Sequence, residues 1–452
     1  MIGEAVDLER RIGIDDLGHF ALHGLVNAWL DFSAACEPLP AAWREFRQAD
    51  MIEPEGVRSK IPVASPGSLR EIALLFLKLG SVAFGGPAAH IAMMEDEIVF
   101  RRRWLSREEF LDLLGATNLI PGPNSTEMAI HLGYRRSGWA GLLVAGSCFI
   151  LPASFIVTAF AWAYVRYGLL PDVSRILYGI KPVIIAVILQ ALWGLGRTAL
   201  KTRFLAVVGT TGIALGFLGV NELVILSGAG IGVGLARWMI GRNKKSGHHF
   251  ASLISGAPLS FVAQNTVTGG AAAAVSFGLW PLFLFFLKVG SVLFGSGYVL
   301  LAFLRADLVE RWHWLNESQL LDAIAVGQVT PGPVFTTATF IGYILGGPAG
   351  GLVATLGIFL PAFFFVAVSG PLVPRIRRSV TAEAFLDGVN VASLALMATV
   401  TYQLGRTALV DFTTVTLLIV SLILLIGFRV NSVWLVLGGA LVSHLANVLS
   451  RI

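Results

Sequence analysis

Apolar residues arrive along this chain in long runs separated by short polar stretches. From Ser68 onward the runs cover roughly residues 70–94, 110–134, 139–165, 176–195, 204–219 and 221–240, and then 279–304, 318–345, 349–373, 386–403, 411–428 and 432–449. A helix needs about 20 residues to cross a hydrocarbon core about 30 Å thick, so the pattern predicts an all-α polytopic membrane protein with its helices in two sets of six. The sets are copies. FLKLGSVAFG at Phe76–Gly85 returns as FLKVGSVLFG at Phe286–Gly295, eight identities in ten, and Pro121-Gly122-Pro123 returns 210 residues later as Pro331-Gly332-Pro333. LGRTAL at Leu195–Leu200 reappears at Leu404–Leu409, and Pro152 pairs with Pro361, the offset having slipped to 209. Duplication of this length in so apolar a chain is the pattern of transporters built from two related halves around a midplane site.

Both copies interrupt the same two runs. Pro-Gly-Pro leaves about a dozen residues on either side, too short to span alone, and the first run is cut by Gly85-Gly86-Pro87, or by Gly295-Ser296-Gly297 in the copy. Backbone freed at membrane depth must be satisfied by protein or by a watery cavity, so these broken or re-entrant helices are expected to point inward. Lys and Arg of short loops stay on the cytoplasmic side. In the first half they cluster at Arg101, Arg102, Arg103 and Arg107, at Arg135 and Arg136, at Arg197, Lys201 and Arg203, and at Arg237, Arg242, Lys244 and Lys245. All four clusters share one side if the Pro-Gly-Pro run is a re-entrant hairpin. In the second half residues 344–350 carry no Lys or Arg, whereas Arg375, Arg377 and Arg378 occupy a loop whose counterpart has only Arg166 and Arg175. Opposite bias in homologous halves predicts inverted topology. The expected organisation is an amino-terminal cytoplasmic extension (1–67), a first transmembrane repeat (68–241), a linker (242–278) and a second repeat (279–452). The uncharged stretch from Phe250 to Leu287 has room for one further crossing, which would leave the amino terminus inside and the carboxyl terminus outside.

Composition agrees. Hydrophobic residues make up 55% and charged residues 13%, with a mean hydropathy of +0.75, whereas about a quarter of residues in soluble domains are charged. The net charge is +5, yet residues 1–60 hold 11 of the 28 acidic and only six of the 33 basic side chains. The basic excess therefore belongs to the membrane part, where it marks topology and not nucleic-acid binding. The extension carries an amphipathic run from Leu17 to Phe32 and prolines at Pro38, Pro40, Pro54, Pro62 and Pro66, and its acidic start is unlike a signal peptide. Cys36 and Cys148 lie in unrelated contexts and read as packing residues. Walker, dinucleotide and HExxH motifs are absent, so ATP-driven pumping by this chain alone is not expected, nor is a cofactor.

The breaks also supply candidate chemistry. A helix that starts just after Pro-Gly-Pro exposes unpaired N–H groups and about half a positive charge, a site for an anion. Asn124, Ser125 and Thr126 follow the first Pro-Gly-Pro, and Thr336, Thr337 and Thr339 follow the second; Ser81 and Ser291 precede the glycine breaks. Gly85, Gly86, Gly295 and Gly297, with Ser296, let backbone approach a ligand or form an anion-holding nest. Tight helix packing is the competing explanation for the glycines and prolines. Lys78 and its copy Lys288 are the only charges in the apolar stretches 72–94 and 279–304, and read either as partners of an anion or as side chains snorkelling to the interface. Glu127 and His131, four apart on one helical face, suit a proton relay with His90 or a simple polar pair. Their counterparts are Thr337 and Ile341, so such a role is asymmetric. No third ligand is spaced to complete a metal site.

The stretches GSVAFGGPAAHIAMMEDEIV, RRRWLSREEFLDLLGATNLIPGPNSTEMAIHLGY, FGSGYVLLAFLRADLVERWHWL and VTPGPVF resemble the long, two-domain form of the chromate ion transporter family over about residues 68–450. The family's motif positions fall on Lys78, Gly80, Phe84, Gly85, Gly86, Pro87, Trp104, Pro121, Gly122 and Pro123, and again on Lys288, Gly290, Phe294, Gly295, Trp314, Pro331, Gly332 and Pro333. Gly-Ser-Gly in place of Gly-Gly-Pro, and the long extension, depart from the family pattern. The resemblance implies a secondary transporter of the bacterial inner membrane that exports chromate, driven by membrane potential or proton-motive force, and so confers resistance. Sulfate, of like geometry and charge, is the expected competitor. The alternatives are a sulfate importer and, from another class, a membrane-embedded hydrolase in which His90, Glu127 and His131 converge. A homodimer stays open as the assembly.

Overall fold

The computed structural model describes residues 68–449 apart from 85, 169, 244–275, 295–296, 377–379 and 429. The amino-terminal extension, most of the expected linker, and Gly85, Gly295 and Ser296 lie outside the described residues. Every described element is a helix or helical turn. The first copy contains α1 (Leu69–Val82), α2 (Gly86–Glu95) running into a π-helical turn (Asp96–Arg101), α3 (Arg107–Thr117), α4 (Asn124–Tyr167), α5 (Pro171–Ala199), α6 (Arg203–Phe217) and α7 (Glu222–Asn243). The second contains α8 (Leu279–Val292), a 3-10 turn (Gly297–Val299) leading to α9 (Leu300–Phe303) and a π-helical turn (Leu304–Arg311), α10 (Glu317–Val329), a 3-10 turn (Val334–Thr336), α11 (Thr337–Ile376), α12 (Val380–Ala408), α13 (Phe412–Ile426) and α14 (Ser432–Leu449). Among the described residues, five helical stretches are long and apolar enough to cross a membrane: Asn124–Tyr167, Arg175–Ala199, Glu222–Ile240, Val334–Ser369 and Thr381–Ala408. The chain is a multi-pass membrane protein.

Local chemistry explains the starts. Ser106 and Glu109 form a capping box at α3, and Asn316 with Gln319 does the same 210 residues on at α10; each pair satisfies two backbone N–H groups that the first turn leaves without partners. Thr202 caps α6, and Asp411 caps α13 at the offset of 209. The duplicated caps differ in residue but not in function.

Both α4 and α11 are two helices joined by a sharp reversal. Ser137 and Gly138 leave helical geometry in α4, Gly138 at φ +58°, and Gly346 and Gly347 do so in α11, Gly347 at φ +61°. The arms fold back so tightly that a Cβ on Gly133 would lie 2.2 Å from the Gly141 carbonyl oxygen, and one on Gly342 2.3 Å from that of Gly350. Only glycine permits this approach. Ion pairs gather the open ends of the first copy's hairpins: Arg102 to Glu71 at 2.8 Å, Arg136 to Glu71 at 3.9 Å and Arg135 to Glu109 at 3.8 Å. The start of α1, the end of the π-turn, the start of α3 and the end of the first arm of α4 thus lie together. Each Pro-Gly-Pro sits at the opposite end of its hairpin.

The copies interlock instead of standing side by side. Within each, the first helix packs on the long reversed one, α1 on α4 and α8 on α11. Between them, α4 pairs with α11 and α5 with α12, while α5 also packs on α13 and α14 and α12 on α6 and α7. The exchange is sealed by matched close approaches: a Cβ on Gly179 of α5 would be 2.2 Å from Gly439 O, and one on Gly388 of α12 2.5 Å from Ala229 O. A fully buried aromatic set, Phe286, Phe303 and Phe340, shares one apolar core with Val183 and Ile184 of α5, and Phe76, Phe110 and Phe149 form the core of the first copy's hairpins.

Candidate functional site

The helix breaks of one copy dock onto those of the other. The Gly122 N–H donates to Leu293 O at 2.7 Å, and the Gly332 N–H donates to Ala83 O at 2.9 Å. The partners are related by the same 210-residue offset, so the two bonds are one contact made twice. Proline has no N–H, which makes the central glycine the sole donor of each Pro-Gly-Pro. Pro121 and Pro123, like Pro331 and Pro333, hold that donor in a rigid turn. Gly122 is at φ +143° and Gly332 at φ +90°, conformations that L side chains rarely adopt. Gly86, which opens α2, is at φ +77°.

His90 joins the same junction. Its Nε2 donates to Ala83 O at 2.9 Å, so that carbonyl accepts from both copies, and its ring meets Phe149 edge-on at 5.6 Å. Between the tips, Pro87, Asn124, Ser125, Gly297, Pro333 and Val334 enclose about 10 Å³, room for roughly one water molecule. That is too little for a tetrahedral oxyanion, so the tips are closed on each other in this conformation.

The remaining candidate residues fall into distinct settings. Ser81 and Ser291 each donate to the carbonyl four residues back at 2.7 Å. Thr336 and Thr337 likewise donate to Pro333 O and Val334 O at 2.8 Å, and Thr339 bonds Thr355. Thr126 is fully buried and its hydroxyl has no partner. Glu127 is also fully buried, with neither carboxyl oxygen hydrogen-bonded; a Cβ on Gly122 would lie 2.3 Å from its Oε1. Such a group is costly unless neutral or paired. His131, one turn further along, has its Nε2 3.5 Å from Ser369 Oγ.

Lys78 and Lys288 are paired with carboxylates. Lys78 Nζ lies 2.7 Å from Glu97 Oε1, and Lys288 contacts Asp307, the residue at the matching position. Both acids sit in the π-helical turns, where the wider turn re-aims side chains. Arg102 adds a contact to Glu97 at 3.3 Å and Arg311 one to Asp307. Burial pushes the Glu97 carboxyl up, but hydrogen bonds and charge from Lys78 and Arg102 outweigh it and hold the group below its usual value. Each lysine charge is thus locally balanced. The sequence reading passed over Glu97 and Asp307, although an acid recurs 19 residues after each lysine.

Two larger cavities border α12, and one of them reaches the breaks. One, about 630 Å³, is lined by Pro87, Asn118, Asn124, Phe294, Ser393 and Met397 among others, with the Lys201–Asp387 ion pair (2.8 Å) in its wall. It shares Pro87 and Asn124 with the closed space between the tips. The other, about 510 Å³, is lined by Glu222, Arg305, Arg311, Leu396, Thr399 and Gln403 among others. Met397 borders the first and Leu396 the second, so only the thickness of packed side chains separates them on that helix. None of Asn118, Lys201, Asp387 or Ser393 stood out in the sequence as a site residue.

With this geometry in place, the chain can be set beside known proteins. It matches the chromate transporter family over residues 70–235 and again over 280–444. A chromate transport protein of Cupriavidus metallidurans is 31% identical over 378 residues, 82% of this chain and 92% of that one. A probable chromate transport protein of Synechococcus elongatus is 32% identical over 79% of this chain and 89% of its own length, and a chromate transport protein of Pseudomonas aeruginosa is 33% identical over 76% of this chain and 83% of its own length. No solved structure matches. Two family matches covering both copies, with relatives aligned over most of their length, establish that this chain belongs to the chromate transporter family.

Proposed function

We propose that this protein is a secondary transporter that carries chromate out of the cell across a bacterial inner membrane, and that its two copies lie in inverted topology with their first and second hairpins re-entrant. The observation that carries the reading is the reciprocal pair of bonds from Gly122 to Leu293 and from Gly332 to Ala83. It ties four broken helix ends into one junction related by the internal repeat, the arrangement expected where discontinuous helices form a midplane site.

Antiparallel packing of equivalent helices supports inversion. The end of α5 meets the start of α12 through Lys201 and Asp387, and the start of α5 meets the end of α12 through Tyr178 and Asp411. The four basic clusters of the first copy then share the cytoplasmic side, and Lys201, in the wall of the 630 Å³ cavity, lies at that end. The separate neighbours of His90 and His131, Ala83 with Phe149 and Ser369 respectively, favour transport over an embedded hydrolase. Glu127, buried beside the first Pro-Gly-Pro, is the group best placed to carry a coupling proton, with His131 next along the helix.

Export needs no ATP on energetic grounds. A dianion leaving a cell that is negative inside gains about 2.3 kcal/mol per charge per 100 mV, so about 4.6 kcal/mol for two charges, which sustains a concentration ratio of roughly 2000-fold. The test is chromate uptake into everted vesicles with the membrane potential and the pH gradient collapsed separately. Uptake should require the chain, fall when the potential is removed and be inhibited by sulfate. Equal uptake with and without the chain would overturn the reading.

A further inference from the structure

The tip space admits one water and the substrate is larger, so the anion must rest elsewhere in this conformation. The 630 Å³ cavity is large enough. Its walls on α5 run from Ala191 to Ala199 and on α12 from Asp387 to Met397, about ten residues or roughly 15 Å of helix rise. That is half of a hydrocarbon core about 30 Å thick, so the cavity extends from the Lys201 end to the depth of the broken helices.

Most of its wall is apolar, with polar groups at its two ends and along α12 between them. At the deep end α4 begins, a helix of many turns. The N–H groups of Thr126 and Glu127 turn back onto Pro123 O, while those of Asn124 and Ser125 lie ahead of any helical carbonyl. Asn124 Nδ2 donates to Asn118 Oδ1 at 2.7 Å, an orientation that leaves the Asn118 amide nitrogen able to donate. A second observation is independent of the helix end. Ser393 of α12 is 4% exposed, lines this cavity, and its hydroxyl has no partner. A buried hydroxyl without a partner is costly, and this residue borders a cavity large enough to hold one. Asn390, one turn away, lines the same wall. At the outer end Asp387, with its side chain 15% exposed, holds Lys201, with its side chain 54% exposed.

We propose that this cavity is the resting site of the transported dianion, with Asn118, the first turn of α4, Asn390 and Ser393 as its donors and the Lys201–Asp387 pair as the charge that sets its affinity. The inference rests on the transport reading and deepens it. A tetrahedral dianion fits because donors converge from α3, α4 and α12 while the apolar remainder of the wall keeps the local dielectric low, which strengthens each contact. The ion pair has opposite effects through its two members. Lys201 attracts the dianion, and Asp387 both repels it and competes for the same ammonium.

The test is equilibrium binding of radiolabelled chromate to the full chain purified in detergent, with flux into everted vesicles measured alongside. Lys201→Gln should weaken binding and Asp387→Asn should tighten it, each on the order of tenfold for a unit charge acting on a dianion across a partly solvated cavity. A bridge that merely holds α5 to α12 would make both variants change in the same direction. Asn390→Asp, a near-isosteric change that puts a carboxylate in the wall, should weaken binding by at least as much and supplies a readout should either member of the ion pair prove necessary for folding. Like-signed or absent effects for Lys201→Gln and Asp387→Asn, or wild-type affinity in Asn390→Asp, overturn the assignment. If vesicles still take up chromate in that event, the transport reading stands and only the site is lost; if the wild-type chain neither binds nor moves chromate, both fall.

Discussion

Adding one methyl group at each Pro-Gly-Pro should damage the two copies unequally. Gly122→Ala and Gly332→Ala both place an L residue at a positive φ, +143° and +90°, at a cost of about 1–3 kcal/mol each. What the new Cβ meets differs. At Gly122 it would lie 2.3 Å from Glu127 Oε1 and 3.8 Å from Ala362 Cβ, so the nearest obstacle is the far end of a side chain that can rotate. At Gly332 it would lie 2.6 Å from Ala153 Cβ and 3.1 Å from Gly80 O, neither of which moves without its helix. Overpacking of the rigid kind costs about 1–3 kcal/mol, occasionally more, so Gly332→Ala should lose about 2–6 kcal/mol and Gly122→Ala the lower part of that range. The assay is thermal unfolding of the detergent-solubilised protein, read by fluorescence-detected size exclusion, with chromate uptake in everted vesicles. Adding Glu127→Ala to Gly122→Ala should recover about 1–2 kcal/mol of the packing cost, whereas adding it to Gly332→Ala should recover nothing. Equal losses at both glycines, or rescue of Gly332→Ala by Glu127→Ala, would show that the atoms nearest each Cβ do not set its cost.

Other consequences follow from the same geometry. Asp307→Asn should destabilise more than Glu97→Gln, because the Asp307 side chain is 1% exposed and that of Glu97 10%; removing one member of a buried pair costs up to about 3–5 kcal/mol, and partly exposed lysines keep both below that limit. The Glu97 pair also predicts a pH dependence. Its folded carboxyl titrates below its unfolded value, so its contribution is present above the unfolded pKa and lost as pH falls through the folded one; unfolding curves from neutral pH downward should show this decline, and Glu97→Gln should flatten it. Single cysteines at Arg101 and Arg135 should react with a membrane-impermeant thiol reagent only from the cytoplasmic side and one at Pro348 only from outside, in a background lacking Cys36 and Cys148; labelling of all three from one side would sink the inverted topology. Asp322 of α10 accepts from Tyr164 Oη at 2.9 Å and lies 3.5 Å from Lys181 Nζ, tying the second copy to α4 and α5 of the first. Asp322→Asn should loosen that tie and raise external labelling of a cysteine at the buried Ile184, and unchanged labelling would count against the tie holding the copies together.

The runs, the breaks and the duplication were all legible because each is written locally. Apolar length fixes a helix, Pro-Gly-Pro cannot continue one, and an offset of 210 shows itself by identity. The reversals in α4 and α11 were half visible, since the runs were parted at 134–139 and 345–349, but only the backbone contact of Gly133 with Gly141 and of Gly342 with Gly350 shows that the chain turns back on itself. The interlocking of α5 with α13 and α14, and of α12 with α6 and α7, left no such mark. Those contacts join residues about 160 to 260 positions apart through small residues such as Gly179 and Gly439, which sequence alone does not distinguish from other membrane glycines. Lys201 was legible as a marker of sidedness, and its pairing with Asp387 depends on that long-range packing. The partners of Lys78 and Lys288 were within reach. Glu97 and Asp307 recur at one offset, and two acids kept opposite two lysines in an apolar hairpin are a readable signal.

The duplicated features and the unique ones divide the labour of this fold. Capping boxes, π-turn ion pairs, glycine reversals and the two cross-copy bonds all occur twice, so they can serve either half and cannot by themselves give transport a direction. Direction must come from positions where the copies disagree. Glu127 faces Thr337 across the repeat, His90 faces Leu300, and on the offset of 209 Asn390 and Ser393 of α12 face Lys181 and Ile184 of α5. The last comparison is informative because α5 and α12 are equivalent helices. Where Asn390 and Ser393 of α12 line an open cavity, α5 places a lysine against Asp322 and Ser318 and a buried isoleucine in the core. On the proposed reading, one side of the repeat axis holds a small polar solute and the other closes with an ion pair. Inverted halves that exchange conformations would still present the solute with two different faces, and that inequality is what a vectorial transporter made from a gene duplication requires.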